Sequence, residues 1–397
     1  MRTDDPIAIV SAVRTPLGRF LGDLAPVQAS ELGAHAISAA VTRATIPAED
    51  IDEVLMGCVL PAGQGQAPAR QAARRAGLPD GIGATTVNKV CGSGMKAVML
   101  AHDLILAGSA NIVVAGGMES MSNAPYLLPG ARSGYRAGHD RIVDHMMFDG
   151  LEDAYEPGRP MGDFGEAAAG KFGFTRADQD AYAALTLGRA RHAVESGAFR
   201  AEIAAIEVPQ KGGTQLVEND EHPLKVSPER IPTLKPAFRP DGTITAASAS
   251  ANADGAAALI LMQQSEAERR GLDILAVIRG HATYSQEPAW YTTAPAPSIA
   301  KLLDRTGWSV GHVDLFEINE AFAVVAMAAA RTLGIAEDRL NVHGGVCALG
   351  HPIGATGARL IVTLLHALKA RGLKRGIASL CIGGGEATSI ALERPAA

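Results

Sequence analysis

Four residues, three of them flanked by glycines, carry most of the chemistry open to this chain. Cys91 stands in Asn88-Lys89-Val90-Cys91-Gly92-Ser93-Gly94-Met95, where a short apolar segment turns on two glycines into a helical pattern. Apolar residues at Met95, Val98, Met99, Ala101, Leu104 and Ile105 recur at helical spacing up to Gly108, a C-cap candidate. A thiol on a turn at the positive end of a helix meets unpaired backbone N–H groups, which favour the nucleophilic thiolate. A buried structural thiol is the competing reading. His351, in Cys347-Ala348-Leu349-Gly350-His351-Pro352-Ile353-Gly354, is restricted by the following proline and closely approached by chain because of its glycines. An imidazole held rigidly at a helix entrance suits proton transfer near neutral pH. Asn319, in Asn319-Glu320-Ala321-Phe322-Ala323, closes a buried strand before an apolar helix, and a plain N-cap is its alternative. Cys381, in Ser379-Leu380-Cys381-Ile382-Gly383-Gly384-Gly385, emerges from what reads as the last buried strand; taken alone it is a core residue.

The elements that must position these groups follow from hydrophobic periodicity. Strands are expected at 7–13, 51–57, 85–90, 111–117 and 256–262, and helices at 30–42, 69–76 and from Met95 to Gly108. Their alternation implies an α/β fold with a mostly parallel sheet. Residues 122–159 lack periodicity and read as an ordered functional loop region. Thr175-Arg176-Ala177-Asp178 is a capping box opening a helix to about Glu195, and 208–240 is polar and broken by proline. The last third echoes the first. Residues 313–319 repeat the texture of 51–57, and the run of glycines, helix, Gly108, strand and Gly116-Gly117 returns as Gly354 to Gly357, helix, Gly372, strand and Gly383 to Gly385. An internal duplication is one explanation; the shared rhythm of any two βαβ units is the other.

Composition narrows the class. A net charge of −6 with 4% aromatics excludes a general nucleic-acid surface. Between residues 122 and 248, 14 Lys and Arg face 18 Asp and Glu, so any polyanion site there is local. Four cysteines in 397 residues, none in a C-x-x-C pair, give neither a disulfide framework nor a zinc ribbon, and no metal is expected. G-x-x-x-G-x-x-G without a Walker lysine is no nucleotide signature, and the chain ends too soon after Gly385 for a second Rossmann half. The apolar run 321–330 is too short to span a bilayer. The N-terminal apolar segment follows Asp4-Asp5, runs into Arg14 and lacks a cleavage site, and Arg394-Pro395-Ala396-Ala397 matches no targeting signal. The expectation is a cytoplasmic protein with no membrane or nucleic-acid partner.

Taken together, the four stretches resemble the thiolases, the family of acetyl-CoA acetyltransferases and 3-ketoacyl-CoA thiolases. Arg14-Thr15-Pro16-Leu17-Gly18 and Gly117-Met118-Glu119-Ser120-Met121-Ser122 extend the likeness through the chain. The resemblance implies a duplicated, five-layered αβαβα architecture. Residues 1–121 with 249–270 would form one half, 271–397 the other, and 122–248 an inserted loop domain for CoA and substrate. It implies that Cys91 carries an acyl thioester, that His351 takes its proton, and that Cys381 is the second acid/base. Asn319, through a water, would help stabilise the enolate, and the backbone N–H groups of Cys91 and Gly383 would form a second oxyanion site. Substrate or CoA contacts fall on Ser250, Ala246, Met161, Ala321 and Phe322; Lys225 and Arg230 are basic residues in the region of the CoA phosphates. The implied reaction is ping-pong condensation of two acetyl-CoA to acetoacetyl-CoA plus CoA, and its reverse. These CoA thioesters are substrates, with no separate cofactor. A homo-oligomer, tetramer or dimer, and a setting in fatty-acid metabolism are also implied. Three departures stand out: Ser-Ala-x-x-Asp-Gly at Ser250 in place of Ser-Gly, His343 for Asn, and Pro160 where short-chain enzymes carry His. The last keeps a broader-range degradative thiolase in play. A decarboxylating ketoacyl synthase and a non-catalytic CoA or lipid carrier are more distant readings.

Overall fold

The computed structural model describes residues 5–395; Asp4, Ala396 and Ala397, which entered the reading of the termini, lie outside that range. The first half supplies strands β1 (Ile7–Arg14), β2 (Glu53–Gly57), β3 (Gly83–Val87), β4 (Val113–Ser120) and β5 (Ala253–Gln263). The second supplies β6 (Ala276–Ser285), β7 (Leu315–Ile318), β8 (Arg375–Ile382) and β9 (Glu386–Glu393). Hydrogen bonding orders them β7-β8-β9-β6-β1-β5-β4-β2-β3. The seam between halves is thin: β1 and β6 pair only at Ala8–Val277 and Ile9–Ala276.

Only β2–β3, β2–β4 and β7–β8 are parallel among these neighbours. The mostly parallel sheet expected from βα alternation is therefore corrected. β9 returns directly from β8 by a tight hairpin, and β5 arrives after the long intervening region, so neither is bound to the parallel crossover geometry. Ten of the eleven residues of β5 are buried, as a central strand covered on both faces requires.

Eight longer helices matter here: α1 (Ala29–Ala44), α2 (Pro68–Arg75), α3 (Ser93–Leu106), α4 (Gly162–Phe172), α5 (Arg176–Ser196), α6 (Pro295–Thr306), α7 (Ala323–Leu333) and α8 (Ile353–Ala370). Alternate residues of each strand feed different cores. Val54 and Met56 pack with α1 and α2, whereas Leu55 packs inward with α3, α8 and inner residues of the second half. On the far side, Phe316, Ile318 and Ile377 pack with α6 and α7. The result is five layers, α1/α2, sheet, α3/α8, sheet, α6/α7. α8 is long and apolar enough to pass as a membrane span, but its all-round apolarity matches a helix buried between two sheets.

The centre depends on two close approaches. A Cβ on Gly357 of α8 would lie 2.4 Å from the backbone nitrogen of Met95 in α3, and one on Gly117 in β4 would lie 2.1 Å from the Gly354 carbonyl. No side chain fits either point, so glycine sets the crossing distance of the two central helices. Between β4 and β5 the chain leaves the layers to form α4, the expected helix α5 and a hairpin, Ile206–Gln210 with Gly213–Val217, part of which falls in the stretch read as polar and broken by proline. The capping box of Thr175 and Asp178 does open α5. Buried Arg14 ties this region to β1, pairing through Nε with Glu202 at 2.5 Å and through both Nη atoms with Asp220 at 2.7 and 2.8 Å.

Candidate active site

The strand expected to deliver Cys91 directly stops three residues short of it. β3 ends at Val87, and Asn88 to Val90 form a turn in which Val90 takes φ +46°. A β-branched residue in the left-handed region costs on the order of 1–3 kcal/mol, so the neighbours must impose it. They do so with Val90 N–H to Asn88 Oδ1 at 3.0 Å, Ser93 Oγ–H to Val90 O at 2.6 Å and Lys89 N–H to Ser93 Oγ at 2.8 Å. Cys91 is thereby presented two residues ahead of α3, partly exposed. Its own N–H and that of Gly383 both aim at the sulfur. Even so, burial pushes the thiol up to about 11 against those two donors, with Glu119 adding to the rise. The thiolate expected from the helix end is thus not the resting state. A base has to take the proton.

His351 lies two residues ahead of α8, as Cys91 does ahead of α3. The two entrances meet at Gly57: a Cβ there would lie 2.6 Å from Gly94 N and 2.7 Å from Gly354 O. The His351 N–H donates to Ala251 O at 2.8 Å, and Nδ1 lies 2.7 Å from Thr356 Oγ1. That hydroxyl donates onward to Pro352 O at 3.0 Å, so it accepts from Nδ1–H and leaves Nε2 as the basic nitrogen. Nε2 is buried with no hydrogen-bond partner. Burial, aided by the Arg359 charge, pulls the imidazole down to about 3, so it rests neutral.

Asn319 is not an N-cap: α7 starts at Ala323, and Phe322 occupies the cap position. The amide is left uncommitted, fully buried with neither Oδ1 nor Nδ2 hydrogen-bonded. Its backbone N–H donates to Ser379 O at 2.9 Å, which sets it beside the end of β8 that carries Cys381. Cys381 is not at the end of the last strand. It lies within β8, and the three glycines after it form the turn into β9, with φ +93° at both Gly384 and Gly385. The thiol is fully buried and pushed upward, first by burial and then by the charge of nearby Cys91.

The remaining candidates divide into two groups. Met161, Ala321 and Phe322 pack around Cys381, and Ser250 joins them through its N–H to Ala321 O at 3.0 Å. Met161, Val90, Phe148, Tyr155, Gly383 and Gly384 line a cleft of about 370 Å³ beside the Cys91 turn. Ala246 stands apart. It lines a second cleft of about 270 Å³ with Arg19, His222, Lys225, Arg230 and Cys347.

Residues 7–265 match the thiolase N-terminal domain and residues 272–394 the thiolase C-terminal domain. The chain belongs to the thiolase family. It is similar to the acetyl-CoA acetyltransferase of Chromobacterium violaceum, 48% identical over 98% of this chain and 100% of that protein. It is also similar to that of Schizosaccharomyces pombe, 46% identical over 98% of each. Among solved structures, the Bacillus anthracis acetyl-CoA acetyltransferase superposes with a TM-score of 0.96 at 39% identity, covering 98% of this chain and 99% of that one. The Acat5 thiolase from Ascaris suum in complex with coenzyme A gives 0.93 at 40% identity, covering 98% and 100%.

Around this thiolase site stand residues that the sequence did not single out for a role. Thr356 orients His351. Tyr291 is buried, donates to Met161 O at 3.0 Å and faces both thiols. Glu320 accepts from Tyr182, Thr186, Asn341 and the Cys347 N–H, pinning the turn that holds Asn319. Glu119 accepts from the N–H groups of Val59, Leu60 and Gly354. Burial outweighs those donors and raises it to about 7. Glu320 and Glu119 belong to the motifs around Asn319 and Gly117, yet only the fold shows what they hold.

Proposed function

We propose that this chain is an acetyl-CoA C-acetyltransferase, condensing two acetyl-CoA to acetoacetyl-CoA and CoA and running the reverse thiolysis. One observation carries the reading: His351 Nε2 and the Asn319 amide are buried and unpartnered, Asn319 beside the strand that carries Cys381 and His351 at a helix entrance that meets that of Cys91 at Gly57. Buried polar groups are usually hydrogen-bonded, so two open ones beside the thiols have the capacity to receive substrate or water. The names of the relatives support the same activity.

In the proposed steps His351 relays protons for both thiols. His351 Nε2 takes the Cys91 proton, the thiolate attacks the acetyl carbonyl, and the oxyanion is held by the Cys91 and Gly383 N–H groups. CoA leaves with the proton from His351, and the acetyl group stays on Cys91 as a thioester. For the second acetyl-CoA, Cys381 passes its proton to His351 Nε2 and its thiolate removes the α-proton. The imidazolium N–H and a water held by Asn319 stabilise the enolate oxygen. The enolate carbon attacks the acetyl thioester, and His351 returns its proton to the released Cys91 thiolate. Protons and charges balance, with Cys381 left as a thiol.

Met161, Ser250, Ala321 and Phe322 line the acyl and pantetheine path in this scheme, and the region 122–248 carries the CoA-binding surface. Arg19, Lys225 and Arg230 around the second cleft supply cations for CoA phosphates, with Ala246 beside them. Exposed Tyr126, Leu128, Tyr135 and Ile142 in the same region support a homo-oligomer, and four free cysteines fit a reducing cytoplasm. Incubation with acetyl-CoA followed by peptide mass spectrometry tests the reading: an acetyl adduct on Cys91 is expected, and none would sink it. Thiolysis of C4 against C10–C16 3-ketoacyl-CoA decides chain length; a clear preference for long chains would replace the leading reading by the degradative one that Pro160 keeps open.

A further inference from the structure

Far from the thiols, three metal-ligating side chains that no sequence motif connects meet at one point. His102 and Asp103 lie near the C-terminal end of α3, and His281 lies on β6 of the other half, 178 residues further along the chain. Asp103 Oδ1 is 3.0 Å from His102 Nδ1 and 2.9 Å from His281 Nε2. The two rings stand edge to face with centroids 5.0 Å apart. The three nearest donor atoms all lie within 4.8 Å of one another.

We propose that this triad is a transition-metal site of the Zn²⁺ class, separate from the acyl-transfer centre. Zinc takes imidazole nitrogen at about 2.0–2.1 Å and carboxylate oxygen at about 2.0–2.2 Å, which places tetrahedral ligand atoms about 3.3 Å apart. The two separations to Asp103 Oδ1 need to widen by only a few tenths of an ångström, and the two imidazole nitrogens, within 4.8 Å of each other, close onto the same ion. One cation replaces the two protons that now bridge the imidazoles to Oδ1. The proton of each ring moves to its other nitrogen, which frees the nitrogen facing Oδ1 to bind the ion, while Asp103 brings one negative charge. Two nitrogens and one oxygen select zinc, cobalt or nickel over magnesium or calcium, which prefer all-oxygen shells. The donors come from opposite halves of a molecule whose two sheets share only a two-residue seam. The metal therefore fastens the far end of α3, about 15 Å of helix from the end that presents Cys91, to the second sheet. His281 is already fixed for this by its strand, its carbonyl accepting from Arg305 Nη1 at 2.8 Å. The position of the site favours a structural role, since neither cleft described above includes these residues.

The test uses full-length protein stripped with chelator, in a Cys91→Ala/Cys381→Ala background so that the active-site thiols take up no zinc. Calorimetric titration with Zn²⁺ is expected to give one equivalent per chain. His281→Ala and Asp103→Asn, made separately, are each expected to weaken that binding at least about tenfold. Co²⁺ is expected to give a visible tetrahedral d–d band without the near-ultraviolet charge transfer of a thiolate ligand. With both thiols restored, metal-free His281→Ala keeps the activity of metal-free wild type. No stoichiometric uptake in the Cys91→Ala/Cys381→Ala protein, or uptake unchanged in both folded variants, overturns the proposal.

Discussion

Just past the end of β2 the first half of the molecule carries Cys58; at the matching point past β7 the second half carries Asn319. The match follows from register, since Gly57 pairs with Gly117 in one half and Ile318 with Ser379 in the other. Two residues beyond those partners lie Glu119 and Cys381, each the seventh residue of an eight-residue strand. The helix entrances correspond as well, Cys91 to His351. The halves use these equivalent places differently. In the first, Cys58 Sγ contacts Glu119 Oε1 at 3.6 Å, and three backbone N–H groups satisfy the carboxyl. In the second, the Asn319 amide and His351 Nε2 are left open. One half thus builds a buttress where the other keeps its polar groups free for substrate. The two are coupled, because one Glu119 donor is Gly354, three residues after His351.

The sharpest way to break this comparison is to alter the open half and look for separate losses. Cys381→Ser is expected to lose condensation by about 10²–10⁴-fold while Cys91 is still acetylated from acetyl-CoA. Equal loss of both half-reactions, read by adduct mass and acetoacetyl-CoA formation, would merge the two thiols into one role. Next in size, Asn319→Ala is expected to lower kcat about 10²–10³-fold. The equivalent change in the buttress, Cys58→Ala, should leave kcat nearly intact and cost about 1 kcal/mol of stability. Should Cys58→Ala impair kcat as severely as Asn319→Ala, the division between buttress and reaction centre fails.

What the sequence made legible follows the same division. The glycine-flanked residues Cys91, His351 and Cys381 stood out because turns and close approaches restrict residue type locally. The duplicated order of glycine, helix, glycine and strand was legible for the same reason. The direction of the strands was not, because β8 and β9 are joined by Gly383 to Gly385, which read as a terminal loop rather than a hairpin. Val90 gave no sign of its left-handed turn, since a valine there is imposed by Asn88 and Ser93 rather than by its own preference. The helix end behind Cys91 is visible in sequence, whereas the burial that raises its thiol is not. The buttress and the His102–Asp103–His281 cluster depend on contacts across long separations, beyond any periodicity.

Smaller effects sharpen the picture at the two helix entrances. Thr356→Val keeps the shape beside His351 but removes the acceptor that fixes Nδ1–H. A loss of up to about tenfold in kcat is expected, the worth of one hydrogen bond, with Cys91 still reactive toward acetyl-CoA. An unchanged kcat would free the imidazole tautomer from Thr356.

The last effect concerns stability and comes from the buttress itself. Glu119 is raised from 4.5 to about 7, chiefly by burial. Between those pH values the folded protein holds a proton that the unfolded chain has released. Stability from this group is therefore complete below pH 4.5 and is lost as pH rises toward 7, with a slope of at most about 1.4 kcal/mol per unit. Glu317, raised to about 8 by burial despite Arg359, adds a slope of the same sign that extends further. Glu119→Gln removes only the first contribution. Denaturation curves of wild type and variant should therefore change their separation between pH 4.5 and 7 and run parallel above it, where Glu317 alone still titrates. Curves that run parallel throughout would mean that Glu119 is already ionised in the folded state. Its backbone donors would then outweigh burial, and the buttress would hold the His351 helix by a full negative charge at its N-terminus.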